Sequence, residues 1–145
     1  MIVHQILKSK PVDGVMTLQS DATVSQAAAI MSEKRIGTVV ISDDGGATPT
    51  GILSERDIVS ALGKSGGGCL TQSVADLMTR KLVTCSRNDS SDAVLGKMTE
   101  GRFRHMPVIE DGKMIGLISI GDVVKARLSE LAMERDALEG MVMGH

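Results

Sequence analysis

One set of residue types recurs at a fixed spacing in two places: Gly51, Ser54 and Asp57, then Gly116, Ser119 and Asp122, a G-x-x-S-x-x-D pattern. A serine followed three residues later by an acid can close a helix N-terminus, each side chain accepting from the other's backbone N–H. The same groups can also hold a ligand. Backbone N–H groups at a helix start favour phosphate, and a carboxylate can accept from both hydroxyls of a ribose while repelling a 2′-phosphate. A lone S-x-x-D is a cap most of the time. Two copies, each behind a glycine at the end of an apolar run, suit a nucleotide.

Cations near the two copies differ. Arg104-His105 precedes Met106-Pro107-Val108, and the matching place earlier in the chain holds Gly37-Thr38. Arg56 lies inside Ser54-Glu55-Arg56-Asp57, where the later copy has Gly121. A guanidinium matches phosphate oxygens, and an imidazole adds charge below neutral pH. Arg56 and Arg102 read equally well as solvated helix faces, and His105 as a half-buried imidazole. Catalysis has no such foothold, because nothing pairs a nucleophile with a base; neither an enzyme nor a metal centre is expected. Cys69 and Cys85 lack metal-ligand spacing, and His4, His105 and His145 are far apart. Cys85 reads as a core residue and Cys69 as the more exposed of the two. Gly63-Lys64-Ser65 is no phosphate loop, since Ile58 stands where that motif needs glycine.

These residues must be positioned by a unit that is written twice. EKRIGTVVISDDG (33–45) aligns without a gap on EGRFRHMPVIEDG (100–112), GILSERDIV (51–59) on GLISIGDVV (116–124), and VHQILK (3–8) on VADLMT (74–79). Each unit reads as a short amphipathic helix and an apolar strand (VMTL at 15–18, LVTC at 82–85). A helix started by Asp21 or Asp89 follows, then two strands across a D-G or D-D-G-G turn, then a last helix. The boundaries are 1–63 for the first repeat with its leading helix, 64–73 for a Gly-rich linker, 74–128 for the second repeat and 129–145 for a helical extension. The last helix, from Asp122 to about Met143, carries Val124, Leu128, Leu131, Leu138 and Val142 at heptad-like spacing with Arg135 in the seam. It is either a cap on the core or a dimer contact.

Composition narrows the function. The 145 residues carry 16 Lys and Arg against 18 Asp and Glu, a net charge of −2, and Phe103 stands as the single aromatic residue. A basic face for a phosphate backbone and a stacking platform for bases are both missing, so no nucleic-acid partner is expected. No apolar run approaches the ~18 residues of a membrane span. The expected setting is a reducing cytoplasm with no membrane contact.

The tandem units with their paired G-x-x-S-x-x-D resemble a pair of CBS domains, a Bateman module, and the whole organisation is similar to small stand-alone bacterial CBS-domain proteins. The resemblance implies an α/β (α+β) fold: two pseudo-symmetric β-α-β-β-α repeats packed sheet to sheet, plus a long C-terminal helix. It implies that Asp57 and Asp122 hold the ribose of an adenosine ligand, with Ser54 and Ser119 near ribose or phosphate. Arg104 and His105 would contact phosphate, with Arg56 the corresponding cation of the first repeat. Val15, Met16 and Thr17, together with Leu82, Val83 and Thr84, would read the adenine edge, and Met106 and Pro107 would flank the ring. The expected function is a regulatory, energy-sensing module for adenine nucleotides, AMP or NAD(H) first and ADP or ATP after them. No cofactor is required, and the chain, expected to be a homodimer, would modulate an unknown protein partner or its own assembly through ligand-dependent repacking of the pair. The alternative is an interaction scaffold that dimerises without ligand.

Overall fold

The computed structural model describes residues 1–10 and 15–142. Among these the chain runs α1 (Val3–Ser9), β1 (Thr17–Leu18), α2 (Val24–Lys34), β2 (Thr38–Ile41), β3 (Gly51–Ser54) and α3 (Glu55–Ser65). A 3-10 turn at Gly66–Thr71 leads to α4 (Val74–Leu77), α5 (Ser91–Gly101), β4 (His105–Glu110), β5 (Lys113–Ser119) and α6 (Ile120–Val142). The fold is mixed α/β with small sheets and a long last helix, as the repeats imply. The expected end of that helix at Met143, and the extension beyond it to His145, lie outside the described residues.

Local signals account for most boundaries and correct some. Helix α2 is capped by Thr23, whose hydroxyl accepts from Gln26 N–H while the Gln26 side chain accepts from Thr23 N–H, so Thr23 rather than Asp21 starts it. Helix α5 is capped by Ser90 rather than Asp89, whose carboxylate instead accepts from the Ser86 N–H and hydroxyl. Both helices end on an arginine in the left-handed region, Arg35 and Arg102 at φ near 57°. Of the strand expected at 82–85, a single bridge remains, Cys85 beside Val108. The Gly-rich stretch is ordered as the end of α3 and the 3-10 turn. Cys69, expected to be the more exposed cysteine, is buried there.

The described residues form two compact units. Unit 1 holds 1–10, 84–110 and 116–142, and unit 2 holds 15–83 and 111–115. Each leading helix therefore packs in space with the other repeat of the sequence. In unit 1, Val3 and Ile6 of α1 join Val94, Met98, Val108, Ile118 and Val123 in one core. In unit 2, Val74 of α4 and the neighbouring Met78 join Val24, Val39, Ile41 and Leu53. The backbone ties are equivalent: Val3 N–H donates to Asp89 C=O, and Val74 N–H donates to Ala22 C=O.

This exchange explains the glycine that opens each motif copy. A Cβ on Gly116 would come within 2.8 Å of Leu7 Cδ2, and one on Gly51 would run into Met78. Leu7 in α1 and Met78 just past α4 are equivalent residues of the two leading segments, so the bare glycine backbone seats the end of each. In unit 2 the sheet order is β1-β2-β3, with β1 parallel and β3 antiparallel to β2, and Val39, Val40 and Ile41 of the middle strand are fully buried. Strands β4 and β5 pair across Asp111-Gly112, both at positive φ, the conformation of a two-residue hairpin turn.

Candidate functional site

Both motif copies form the cap that their spacing predicts. In unit 2, Asp57 Oδ2 accepts from Ser54 N–H at 2.9 Å and from the Ser54 hydroxyl at 3.0 Å, and Ser54 Oγ accepts from Asp57 N–H at 3.2 Å. Strand pairing sets Ser54 opposite buried Thr38 at the start of β2. On the other side of β2, Met16 C=O accepts from Val40 N–H, and Thr17 pairs with Val40. Thr17, Ser54 and Asp57 thus belong to one sheet and the helix that leaves it, with Met16 bonded to the middle strand and Val15 just ahead of it. Arg56 is exposed on the first turn of α3, and neither it nor Lys81 makes an ion pair with Asp57 among the described residues.

In unit 1 the same cap acquires a cation. Asp122 Oδ2 accepts from Ser119 N–H at 2.9 Å, and Ser119 Oγ accepts from Asp122 N–H at 3.1 Å. Lys10 Nζ lies 2.9 Å from the same carboxylate oxygen and donates at 2.7 Å to Leu117 C=O. Burial pushes the Asp122 carboxyl up, but the Ser119 backbone N–H, the Lys10 ammonium and the Ser119 hydroxyl outweigh it, so its pKa lies below the usual aspartate value. His105 starts β4 and is half-buried. Burial first, then the charges of Lys10 and Arg104, hold its pKa below 6.5 against the opposing pull of Asp122. The imidazole is therefore mostly neutral at pH 7. Arg104 is exposed, and its carbonyl accepts from Ile120 N–H at 2.8 Å, tying it to the start of α6.

The structure thus gathers Ser119, Asp122, Arg104 and His105 within unit 1, with Lys10 among them. The other candidates divide. Thr84 is exposed next to Cys85, whose N–H donates to Pro107 C=O at 3.0 Å, so Thr84 and Pro107 are neighbours in unit 1. Pro107 is itself buried, and Met106 is a fully buried member of the unit 1 core. Leu82 and Val83 group with unit 2, Leu82 half-buried and Val83 exposed.

Lys10 is the residue that sequence reasoning passed over. Continuing the alignment of 3–8 with 74–79 by two residues sets Lys10 over Lys81, a repeated lysine three places past Leu7 and Met78. What that pattern does not show is the exchange of leading helices, which brings Lys10 to the second motif copy rather than the first.

No helix among the described residues is long and apolar enough to cross a membrane. A family model for the CBS domain matches residues 3–64 and 74–129. The mitochondrial CBS domain-containing protein CBSX3 of Arabidopsis thaliana is 34% identical over 141 residues, which cover 94% of this chain and 68% of that protein. Among solved structures, the CBS-domain containing protein ATU1752 from Agrobacterium tumefaciens is 43% identical with a TM-score of 0.82, over 88% of this chain and 99% of that one. The CBS domain protein PAE2072 from Pyrobaculum aerophilum, complexed with AMP, is 25% identical with a TM-score of 0.77, over 92% and 99%. Both repeats match, the relatives align along nearly the whole length, and the chain belongs to the CBS-domain family.

Proposed function

We propose that this CBS pair is a regulatory module that binds an adenine nucleotide, AMP or NAD(H), at the second motif copy in unit 1. The observation that carries this reading is Lys10 on the carboxylate of the Ser119–Asp122 cap, with His105 within the field of both and of its neighbour Arg104. In the proposed complex Asp122 accepts from the ribose hydroxyls, since a carboxylate that already caps its helix retains further lone pairs. Lys10, Arg104 and His105 face the phosphate, with Ser119 between ribose and phosphate. Thr84 and the adjoining backbone read the adenine edge. A 2′-phosphate beside Asp122 would be repelled, which favours NAD(H) over its phosphorylated form. The AMP complex of the Pyrobaculum relative supports the ligand class.

The first copy, with Ser54, Asp57, Arg56 and Val15–Thr17, is proposed as the weaker site, suited to a nucleoside. Regulation follows from differential affinity alone: the ligand favours whichever conformation holds it better, and by no more than that difference. The exposed apolar seam of α6 favours a second reading, in which the chain is a dimerising scaffold that ignores nucleotide.

The test uses the missing chromophores. With no Trp and no Tyr the protein scarcely absorbs near 280 nm, so a 260 nm band in purified protein reports carried adenine, and mass spectrometry identifies it. Titration with AMP, NAD, NADH and ATP then ranks affinities. Binding of AMP or NAD(H) ahead of ATP supports the proposal; no response to any of the four replaces it with the scaffold.

A further inference from the structure

Helix α6 outlasts the unit that supports it. Its buried residues, Val123 and Ala126, lie in its first two turns, and every residue from Leu131 to Glu139 is exposed. An isolated helix of that length is marginal in water. Nor is this a polar helix reaching into solvent: Val124, Leu128, Leu131, Leu138 and Val142 are between 41% and 87% exposed. With Arg135 they follow a 4-3-4-3-4 spacing, the a/d seam of a coiled coil.

We infer that α6 pairs antiparallel with α6 of a second copy of this chain, centred on residue 133. The seam positions select the register. Antiparallel helices pack a against d positions, and one alignment matches all six residues among themselves: Val124 with the partner's Val142, Leu128 with the partner's Leu138, Leu131 with the partner's Arg135. The matched span is about 27 Å long at 1.5 Å per residue.

Charge selects the direction. In this alignment Lys125 faces the partner's Glu139 at both ends, and across the centre each Arg135 lies beside the partner's Glu134, offsetting the approach of the two Glu134 residues. A parallel, in-register pair would set Arg135 against its own copy and Glu134 against Glu139 on both flanks, like charges at every point. Among the described residues the ion pair of Arg135 is a 3.6 Å contact with the adjacent Asp136, both about 70% exposed.

The test is site-directed cross-linking of the full chain with a short bis-maleimide, wild type supplying the background from buried Cys69 and Cys85. Ala132 faces its own copy across the centre of an antiparallel pair, whereas the two Leu138 residues are about 15 Å apart along the axis. Ala132→Cys is expected to give a covalent dimer at least tenfold faster than wild type, and Leu138→Cys none above background. Lys125→Glu added to Ala132→Cys should slow the reaction roughly threefold to tenfold, and further addition of Glu139→Lys should restore it. Any other pattern overturns the inference. Dimer from Leu138→Cys alone means a parallel pair, dimer from both means no fixed register, dimer from neither means the face does not meet itself, and failure of the charge swap to rescue removes the alignment.

Discussion

Asp57 and Asp122 occupy equivalent places in two copies of one unit and make the same capping bonds to within 0.1 Å. Their surroundings differ. Asp122 shares its Oδ2 with Lys10, and His105 lies within the field of both and of Arg104; Asp57 has an exposed Arg56 on its own helix, and Thr38 where the other unit has the histidine. The capping box alone therefore says little about ligand, since it forms equally well in both units. What separates a helix start from a candidate phosphate site is the cation that another element delivers, and here that element is the end of α1.

The sharpest way to break this comparison is to remove the cations one at a time. Lys10→Ala and Arg104→Ala should each lower AMP affinity about ten- to hundredfold, the range for a charge-assisted hydrogen bond, and leave adenosine binding nearly intact. Arg56→Ala should change AMP affinity by no more than about twofold. Asp122→Ala should weaken AMP and adenosine together, because ribose is common to both. Isothermal titration against the two ligands checks all four. Equal losses of AMP and adenosine in Arg104→Ala would make that residue a packing element, and wild-type binding by Asp122→Ala would end the ribose assignment.

A second comparison sets the two motif glycines against each other. Overpacking a filled site costs about 1–3 kcal/mol, and Gly51 and Gly116 each lie against a leading-helix side chain. Gly51→Ala and Gly116→Ala should both lower Tm, by about 2–10 °C for a chain of this size. Gly51→Ala should fall further, because the atoms of the buried Met78 stand nearer to the added Cβ than those of Leu7 do at Gly116. Thermal unfolding of both variants measures this; a larger loss in Gly116→Ala would reverse the order of the two seats.

Much of this arrangement could be read from the chain. The paired motifs, the helix and strand order and the long last helix follow from the repeat, because each copy checks the other. Reading failed where one copy departs from its twin: residues 82–85 shrink from a strand to a single bridge, and Cys69 is drawn under by the 3-10 turn. The exchange of α1 and α4 was invisible for a different reason. Val3 and Ile6, or Val74 and Met78, present the same apolar face to either sheet, so nothing in the spacing says which sheet receives them. The placement of Lys10 depends on that choice, and so does the difference between the two candidate sites.

The caps themselves should prove nearly equal. Asp57→Ala and Asp122→Ala each remove a helix cap, a loss of about 1 kcal/mol, read as a shift in the midpoint of denaturant unfolding. Lys10 keeps Leu117 C=O when Asp122 is gone, so it is not stranded, and the second variant should exceed the first only slightly. Stability conferred through Asp122 is present above the ordinary aspartate pKa and is lost as pH falls through its lowered folded value, in the region below about pH 4. A much larger loss in Asp122→Ala would mean that the Lys10 pair holds α1 in place rather than completing a site.

The smallest expected effect belongs to His105, and it separates the units without any ligand. Its folded pKa is below the unfolded value of 6.5. As pH falls below about 6.5 the unfolded chain therefore takes up a proton that the native imidazole resists, and stability declines. Denaturant midpoints at pH 7.5, 6.5 and 5.5 should show this decline in wild type and a flatter profile in His105→Gln. Thr38 contributes no such titration at the equivalent place in unit 2. Saturating AMP provides the control that ties the effect to the site: a phosphate beside the imidazole favours its charged form, so the decline should flatten or reverse when AMP is bound. An unchanged slope with AMP would put the phosphate away from His105, and with it the reason for preferring unit 1.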